Sequence, residues 1–412
     1  MQFNELQLNK PILKAVSENN YDTPTLVQER SIPLILDKKD VIVSAQTGTG
    51  KTAAYALPIL QLLYDKQDAS KKKGKKIRAL IVSPTRELAI QIEESFQTYS
   101  KYTNLTTTVI HGGTSIEPQK DILRKGVDIL IATPGRLLDL HKQDEVHIDS
   151  VETLVLDEAD LMLDMGFIDD VSKIVRLCPK GKQTLLFSAT MPHKVVVLAT
   201  TIMDEPERIE ISPTSAVAED VSQVLFYVPK PKKIELCLHL LRNTIKGNII
   251  IFRRTKYGVD KLEKSLLNNN YKVASIHGDK TQSLRQEAMK QFKKNEVNIL
   301  IATDVAARGI DIVGLDAVVN FDLPNVPETY VHRIGRTGRA GKMGTSYSFC
   351  SADEKIYVST IQKLINTQIT IEDDHPYPLD PKAKPEVHKK QGSKHRKGRK
   401  SEASKKNKKR WY

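Results

Sequence analysis

The sequence predicts an α/β protein with two parallel-sheet domains in tandem. Short apolar runs alternate with amphipathic stretches, this alternation restarts after residue 220, and two short motifs recur in the same order in both halves. Strands that are apolar along their whole length are typical of parallel sheets covered by helices on both faces. A chain of 412 residues is long enough for two or three domains with full cores.

The first half shows the alternation most clearly. Val41–Ser44 is expected to be a buried strand and residues 52–63 the helix after it, and Ala79–Val82 and residues 87–99 repeat the pattern. Further strands are expected at residues 129–132, 154–156 and 184–187. We therefore expect a first domain over residues 1–211.

The second half repeats this design. Strands are expected at residues 248–252, 272–276, 298–302 and 317–321, which gives a second domain over residues 221–368 with a short linker at 212–220. The segment 127–133 is nearly repeated at 297–303, and Ile-His-Gly precedes each copy, at 110–112 and 276–278. Two echoes in the same order indicate a duplication.

The positive charge is concentrated at the C-terminus. The chain carries a formal net charge of +13, of which residues 381–412 hold +12, with 14 Lys and Arg against two Glu. Such a composition cannot bury a core, so residues 369–412 are expected to form a disordered basic tail. The tail is suited to binding nucleic-acid phosphates, with Trp411 and Tyr412 available for stacking on bases. A purely solubilising tail is the alternative.

Composition also excludes several classes of protein. No run of eighteen apolar residues predicts a membrane span, and residues 1–5 do not resemble a secretory signal. Cys178, Cys237 and Cys350 lie far apart, which argues against a disulfide framework or a zinc ribbon. A cytoplasmic protein of the reducing compartment is therefore expected.

A glycine-rich loop follows the first predicted strand. It reads Ala45, Gln46, Thr47, Gly48, Thr49, Gly50, Lys51 and Thr52. Backbone amides in such a loop bind phosphate oxygens, assisted by the N-terminus of the next helix. Lys51 is expected to reach the β- and γ-phosphates and the Thr52 hydroxyl to bind Mg²⁺. Ala45 replaces the glycine of the strict motif, and a structural turn is the alternative.

Acidic residues and arginines complete a hydrolytic site. Asp157 and Glu158 follow the strand at 154–156, where Asp157 can hold Mg²⁺ and Glu158 can orient or deprotonate the attacking water. In the second half, Arg336 and Arg339 are three residues apart, so on a helical turn both can point at a phosphoryl group. An RNA-facing or surface basic cluster is the alternative for these arginines.

On the basis of these motifs, residues 1–368 resemble the DEAD-box ATP-dependent RNA helicases of superfamily two, most closely the bacterial RhlE type. The resemblance implies that both domains are RecA-like and that residues 3–28 form the adenine-reading Q motif. Within it, Gln28 would pair with adenine and Tyr21 would stack on it, while Phe3 and Thr23 match further positions of the motif. It also implies that Gly309 contacts the nucleotide and Asp311 its ribose.

The resemblance assigns RNA contacts to both domains. The first-domain positions are Pro84, Thr85, Arg86, Gly113, Thr133, Pro134, Gly135 and Arg136. The second-domain positions are Gly278, Gln282, Arg285 and Thr303. Coupling between ATP and RNA is assigned to Asp160, Ser188, Thr190 and His332. Arg253 and Arg254 depart from the usual pattern of the family, and the sequence assigns them no role.

These features predict an ATP-dependent RNA helicase with ATP and Mg²⁺ as cofactors. RNA would stimulate ATP hydrolysis and be gripped through its backbone without sequence preference, so that short duplexes are opened locally and without processive movement. An ATP-switched RNA clamp that serves as an assembly platform is the first alternative, and a DNA-directed motor is the second. The resemblance further suggests a cytoplasmic monomer with ribosome precursors or RNA-decay machinery as partners.

Overall fold

The computed structural model describes residues 1–19, 21–46, 48–66, 76–211, 221–307, 312, 314–338 and 343–380. Two seven-stranded parallel sheets organise these residues, and helices cover both faces of each sheet. The predicted class, α/β with two parallel-sheet domains in tandem, is confirmed. The predicted linker at 212–220 and residues 381–412 of the predicted tail lie outside the described residues.

The first sheet contains seven strands, β1 to β7. They span Val41–Ser44, Ala79–Val82, Thr107–Ile110, Ile129–Ala132, Thr153–Leu156, Gln183–Ser188 and Glu207–Glu210. Their order across the sheet is β3-β4-β2-β5-β6-β1-β7, and every pair is parallel. In β1, Val41 and Val43 pack into one core cluster and Ile42 into the other. Burial on both faces explains why the sequence of this strand is continuously apolar.

Nine α-helices are described in the first domain, α1 to α9. They span Lys10–Glu18, Leu26–Leu36, Lys51–Asp65, Arg86–Tyr99, Glu117–Arg124, Pro134–Lys142, Ala159–Asp164, Ile168–Leu177 and His193–Ile202. A 3₁₀-helix at Phe3–Leu6 precedes them. The helix α3 is buried along most of its length, because α2 and α4 pack beside it.

The second sheet contains β8 to β14. These strands span Val221–Tyr227, Ile249–Arg253, Val273–Ile276, Ile299–Thr303, Ala317–Asn320, Gly344–Cys350 and Thr370–Ile371. The described helices are α10 to α15, at Lys233–Asn243, Lys256–Asn268, Gln282–Lys293, Asp304–Ala307, Pro327–Ile334 and Lys355–Ile365. Short 3₁₀-helices lie at Lys230–Lys232 and Ala352–Glu354. No helix of the described residues is long and apolar enough to cross a membrane.

The two sheets share one topology. The order of the second sheet, β10-β11-β9-β12-β13-β8-β14, equals that of the first when each strand number is raised by seven. The repeated segments 127–133 and 297–303 contain β4 and β11, which occupy the same position in their sheets. The topology therefore supports the duplication that the sequence echoes indicate.

The predicted start of the tail at residue 369 is wrong, because the second domain continues to residue 380. Thr370 pairs with Val224 in β8, so β14 adds a seventh strand to the sheet. The His375 ring packs edge-on against Phe226, with 5.6 Å between ring centroids. Leu379 then donates its N–H to the carbonyl of Tyr227. These contacts anchor a segment whose sequence shows no helical or strand periodicity.

Candidate active site

The glycine-rich loop leads from the end of β1 to the start of α3. Gly48 and Gly50 have φ angles of 84° and 88°, in the left-handed region that favours glycine. Gly50 also has little room, since a Cβ atom there would lie 2.4 Å from Gln28 Nε2. Within the loop, the Thr49 hydroxyl donates to the carbonyl of Gln46. The loop is thus held in a conformation that only glycine adopts readily at two positions.

Lys51 lies at the centre of the site as the first residue of α3. Its side chain is 6% exposed, and its Nζ atom donates to the Ala45 carbonyl at 2.9 Å. The same nitrogen lies 3.3 Å from Glu158 Oε1. The loop, the ammonium group and the positive end of α3 therefore converge on one place, which is an arrangement suited to binding phosphate.

The two acids after β5 are buried beside Lys51. Asp157 Oδ1 accepts the N–H of Glu158, and Asp157 Oδ2 accepts the hydroxyl of Tyr55, both at 2.9 Å. Burial raises the pKa of the Asp157 carboxyl to about 6, although the charge of Lys51 opposes this shift. Glu158 has a φ angle of 53°, which is uncommon for a residue with a side chain. Strained backbone of this kind is frequent at functional sites.

The adenine-reading positions are only partly assembled around the loop. Gln28 is buried; its Oε1 accepts the N–H of Thr25, and its Nε2 donates to the carbonyl of Gly50 at 3.2 Å. The exposed Tyr21 ring packs against Tyr99, with 6.3 Å between centroids. Gln28 therefore joins this motif directly to the phosphate loop.

Two further residues assigned to the Q motif precede α2 in the chain. Phe3 is 5% exposed in a core cluster of the first domain, and its 3₁₀-helix contacts α2. Thr23 is exposed in the turn before α2. Four other assigned positions, Thr47, Gly309, Asp311 and Arg339, lie outside the described residues.

Asp160 links the acidic segment to the end of β6 and to the second domain. Its N–H donates to Ser188 Oγ, and its Oδ2 accepts both the N–H and the hydroxyl of Thr190, at 2.9 and 2.8 Å. Burial opposes ionisation, but the charge of His332 and the Thr190 hydrogen bond lower the pKa of Asp160. His332 belongs to α14, so the end of this second-domain helix faces the acidic segment of the first domain.

Arg336 follows α14 and is held by its neighbour Arg333. The Arg333 guanidinium binds both oxygens of Asp304, at 2.6 and 2.7 Å, and donates to Asn320 Oδ1 at 3.1 Å. The backbone N–H of Arg336 donates to the carbonyl of Arg333. The buried guanidinium of Arg333 thereby ties the turn that carries Arg336 to the ends of β11 and β12.

Gln282 and Arg285 contact the first domain in this structure. Gln282 Nε2 donates to Glu87 Oε1, and Arg285 Nη2 lies against Glu87 Oε2, both at 2.9 Å. All three side chains are largely buried, because the first turns of α4 and α12 face each other. The resemblance assigns Gln282 and Arg285 to RNA binding, and this assignment stays a prediction. In this structure both side chains contact Glu87 across the domain interface.

The first-domain positions assigned to RNA lie close together at one edge of the sheet, and several of them are buried. Pro84, Thr85 and Arg86 follow β2, Gly113 follows β3, and Thr133, Pro134, Gly135 and Arg136 follow β4. The strands β3, β4 and β2 are adjacent, so their carboxyl ends bring these residues together. A Cβ atom at Gly113 would lie 1.9 Å from Arg86 Nη1, so glycine at this position leaves room for the guanidinium group of Arg86.

In the second domain, Gly278 follows β10 and Thr303 ends β11. These strands are also adjacent, so both residues lie at the same edge of the second sheet. This pair occupies the position that Gly112 and Thr133 occupy in the first domain, since β10 and β11 correspond to β3 and β4.

Several structural partners were not assigned from the sequence. Glu87, Arg333 and Asp304 act through contacts between distant segments, which no local pattern reveals. Tyr55 gives a weak signal, because it follows Lys51 by four residues and so lies on the same face of α3. The position of Arg333 inside the arginine-rich motif was visible, but its burial was not.

Two family models match the chain. Residues 25–199 match the DEAD/DEAH box helicase model, and residues 232–341 match the model of the helicase conserved C-terminal domain. The ATP-dependent RNA helicase CshA of Limosilactobacillus reuteri is 43% identical over 90% of this chain and 73% of its own length. The DEAD-box ATP-dependent RNA helicase RhpA of Helicobacter pylori strain 26695 is 42% identical over the same shares.

Solved structures show how the two domains compare with known proteins. The DEAD-box helicase Mss116 bound to ssRNA and UDP-BeF has a TM-score of 0.82 at 32% identity, covering 91% of this chain and 81% of its own. Saccharomyces cerevisiae Dbp5 bound to RNA and ADP BeF3 has a TM-score of 0.78 at 31% identity, covering 90% and 95%.

A DEAD box protein from Methanococcus jannaschii gives a different result. It is 38% identical, covering 90% of this chain and 99% of its own, but its TM-score is 0.52. Over the whole chain, this structure therefore fits less well than the Mss116 and Dbp5 complexes do, although its sequence is more similar.

Proposed function

The chain belongs to the DEAD/DEAH box helicase family, and from this premise we propose that it is an ATP-dependent RNA helicase. RNA stimulates its hydrolysis of ATP, and hydrolysis is coupled to local, non-processive unwinding or remodelling of short RNA duplexes. The observation that carries the proposal is the meeting of two half-sites. Lys51 and Glu158 on the first domain form the phosphate site, and the second domain meets the first where Gln282 and Arg285 contact Glu87. The charge of His332, on the helix that precedes Arg336, acts on Asp160.

ATP binds with its phosphates in the loop that precedes α3. Lys51 exchanges the Ala45 carbonyl and Glu158 for the β- and γ-phosphates. The Gln28 amide can still pair with adenine, because its oxygen has a second lone pair and its nitrogen a second hydrogen. Tyr21 is exposed and available to stack on the base.

Thr52 and Asp157 fit the Mg²⁺ that accompanies ATP. Thr52 lies in the first turn of α3, and Asp157 accepts a hydrogen bond from Tyr55, which is three residues further along the same helix. Mg²⁺ is commonly held by one or two protein ligands together with substrate phosphates and water. When bound, Mg²⁺ neutralises charge that develops on the phosphates.

Hydrolysis requires a positioned water and positive charge on the transferred phosphoryl group. Glu158 lies next to Lys51, so its carboxylate is placed to orient a water that attacks the γ-phosphate. Arg336, with Arg339 from the same motif, supplies guanidinium groups from the second domain. Because these arginines belong to the other domain, closure of the two domains gates turnover.

RNA binds along the strand ends of both domains. Arg86 and Arg136 contact the sugar–phosphate backbone, and such contacts carry no sequence information. RNA and ATP each favour the closed arrangement, so each strengthens the binding of the other. A strand gripped across both domains is bent in a way that its duplex partner cannot follow.

An ATP-switched RNA clamp remains the second candidate function. The buried contacts of Glu87 with Gln282 and Arg285 favour a long-lived closed state, which is what an assembly platform requires. Unwinding and clamping use the same residues, and they are distinguished by whether strand separation is needed in the cell.

The cellular setting is also part of this proposal. The three cysteines are buried and free, which fits a cytoplasmic protein of the reducing compartment. We expect a monomer that acts on ribosome precursors or with RNA-decay machinery. Closeness to the RhlE type stays a prediction, and the relatives described above carry the names CshA and RhpA.

The Glu158→Gln variant tests the proposed function. It should bind ATP and RNA like the wild type but hydrolyse ATP at least ~10²-fold more slowly, the scale expected for loss of a positioned base. Glu152→Gln, at the opposite end of β5, is the matched control and should leave turnover unchanged. RNA-stimulated ATPase and duplex-unwinding assays measure both variants. Near-normal turnover of Glu158→Gln would remove Glu158 from its role.

A further inference from the structure

Tyr55 is a fully buried tyrosine directly beneath the phosphate loop. It lies four residues after Lys51 on α3, and none of its surface is exposed. Its ring packs edge-on against Phe187, with 5.0 Å between centroids, and tilted against Phe96 at 6.2 Å. Packing against two aromatic rings fixes the direction in which the hydroxyl points.

The hydroxyl of Tyr55 contacts an acid of the active site. It donates to Asp157 Oδ2 at 2.9 Å. Asp157 is itself only 2% exposed, so this hydrogen bond lies in the interior of the domain. Because buried carboxylate oxygens need hydrogen-bond partners, the phenol is a structural partner of this acid.

The two hydrogen bonds of Asp157 have a consequence for metal binding. Oδ2 accepts the Tyr55 hydroxyl and Oδ1 accepts the N–H of Glu158, both at 2.9 Å. One donor on each oxygen fixes the plane of the carboxylate and leaves each oxygen a further lone pair for a metal ion or a water molecule. Phenylalanine would fill the same space as Tyr55 but could not make the hydrogen bond.

We propose that Tyr55 is a positioning residue that orients Asp157 toward the magnesium ion of bound Mg·ATP. The proposal rests on the proposed function, because it assumes that Asp157 faces Mg²⁺. Tyr55 touches neither the nucleotide nor the metal; it acts through the carboxylate of Asp157. A residue of α3 thereby aligns the acid that follows β5.

The Tyr55→Phe variant tests this role by removing one oxygen atom. The dissociation constant of a fluorescent, nonhydrolysable ATP analogue is measured over a range of Mg²⁺ concentrations and in EDTA. Half-saturation by Mg²⁺ should need about three- to tenfold more metal, as expected for the loss of one net hydrogen bond. Binding of the analogue in EDTA should not change, since phosphate and base contacts are untouched.

Controls separate positioning from a general effect on the fold. Tyr64→Phe changes the same residue type on the same helix, nine residues further along, and should respond to Mg²⁺ like the wild type. Phenylalanine keeps every ring atom, so Tyr55→Phe should unfold within a few degrees of the wild type. Adding Tyr55→Phe to an Asp157→Ala variant should cost less than it does alone, because both changes remove the same hydrogen bond.

Two results would overturn the proposal. One is a Mg²⁺ response of Tyr55→Phe equal to that of wild type, and the other is full additivity with Asp157→Ala. A wild-type protein whose nucleotide binding ignores Mg²⁺ would instead contradict the proposed function. Failure of the proposal and failure of the function are therefore distinguishable.

Discussion

The two domains place a buried lysine at the same topological position but surround it differently. Lys51 begins the helix after β1, and Lys233 begins the helix after β8, the corresponding strand. Lys51 contacts one carbonyl at 2.9 Å and one carboxylate oxygen at 3.3 Å. Lys233 contacts the carbonyls of Phe321 and Phe349 at 2.8 and 3.0 Å and Glu354 Oε2 at 2.5 Å. An ammonium group has three donors, so Lys233 is fully paired.

The loops before these lysines explain the difference. The first loop has Gly48 and Gly50 in left-handed conformations, which lets backbone amides turn toward a ligand. The second has Pro229 and Pro231, which lack an N–H, around a short 3₁₀-helix. One topology thus yields a phosphate site in the first domain and a closed structural cluster in the second.

Arg253 and Arg254, which the sequence left without a role, belong to this second cluster. Arg253 Nε binds Asp322 Oδ2 at 2.8 Å, and its guanidinium lies 4.1 Å from the Phe321 ring centroid. Arg254 Nη2 donates to Leu323 O at 2.7 Å and to Glu354 Oε1 at 3.2 Å. The structure therefore uses both arginines to hold the ends of β9 and β12 together.

Substituting the two lysines tests this comparison, and the largest effect is expected on the stability of the second domain. Lys233→Met leaves the buried carboxylate of Glu354 without its principal partner, which should cost about 3–5 kcal/mol in the free energy of unfolding. Urea unfolding measures the change. ATP hydrolysis by the folded fraction should stay within about threefold of wild type. A cost below about 1 kcal/mol would show that this lysine is not a structural centre.

The matching change in the first domain should act on catalysis. Lys51→Met removes the ammonium group that meets the β- and γ-phosphates, so turnover should fall by about 10²–10³-fold, the scale for one electrostatic stabiliser. Single-turnover hydrolysis at saturating ATP measures it, with Lys66→Met at the C-cap of α3 as the control. Comparable losses in Lys51→Met and Lys233→Met would contradict the distinction between the two loops.

A smaller effect is expected at the domain interface. Glu87→Gln keeps the shape of the side chain but removes the charge that faces Arg285. The closed state should be weakened, so the tightening of nucleotide binding by RNA should fall about tenfold, within the usual range of coupling energies. Glu94→Gln, two turns along α4, is the control. Unchanged coupling in Glu87→Gln would make this contact incidental.

The smallest effect on ATP hydrolysis is expected from the basic tail, which belongs to neither domain and acts on RNA affinity. If about seven of its charges neutralise phosphates of single-stranded RNA, the RNA-binding constant K of the full chain should depend more strongly on salt. The slope of log K against log[salt] should then be about 5 units steeper in the full chain than in a chain that lacks the tail. Comparing the full chain with a variant that lacks residues 381–412 gives this difference. Equal slopes would leave the tail a solubilising role.

The sequence predicted most of the architecture because parallel strands are buried on both faces. The bounds of β1, β2 and β4 agree with the predicted runs, since each is a short apolar segment next to polar residues. Residues 369–380 were missed because their anchoring depends on contacts with Phe226 and Tyr227, far away in the sequence. Local patterns do not carry such information.

The candidate site shows the same limit. The phosphate loop and the acidic segment were visible because their residues are contiguous and their spacing has a mechanism. The partners of those residues were not, as Tyr55 under Asp157 and Glu87 against Arg285 show. Which side chain faces an active-site residue is decided by packing between helices, not by the sequence near the motif.

The central claim is that a nucleotide on the first domain recruits Arg336 from the second and that RNA supports this closure. The most direct test measures the affinity of a fluorescent, nonhydrolysable ATP analogue with and without a saturating single-stranded oligoribonucleotide. RNA should tighten binding by about 5–150-fold in the wild type, and Arg336→Ala should lose most of this gain. Equal affinities with and without RNA in the wild type, or undiminished coupling in Arg336→Ala, would contradict the account.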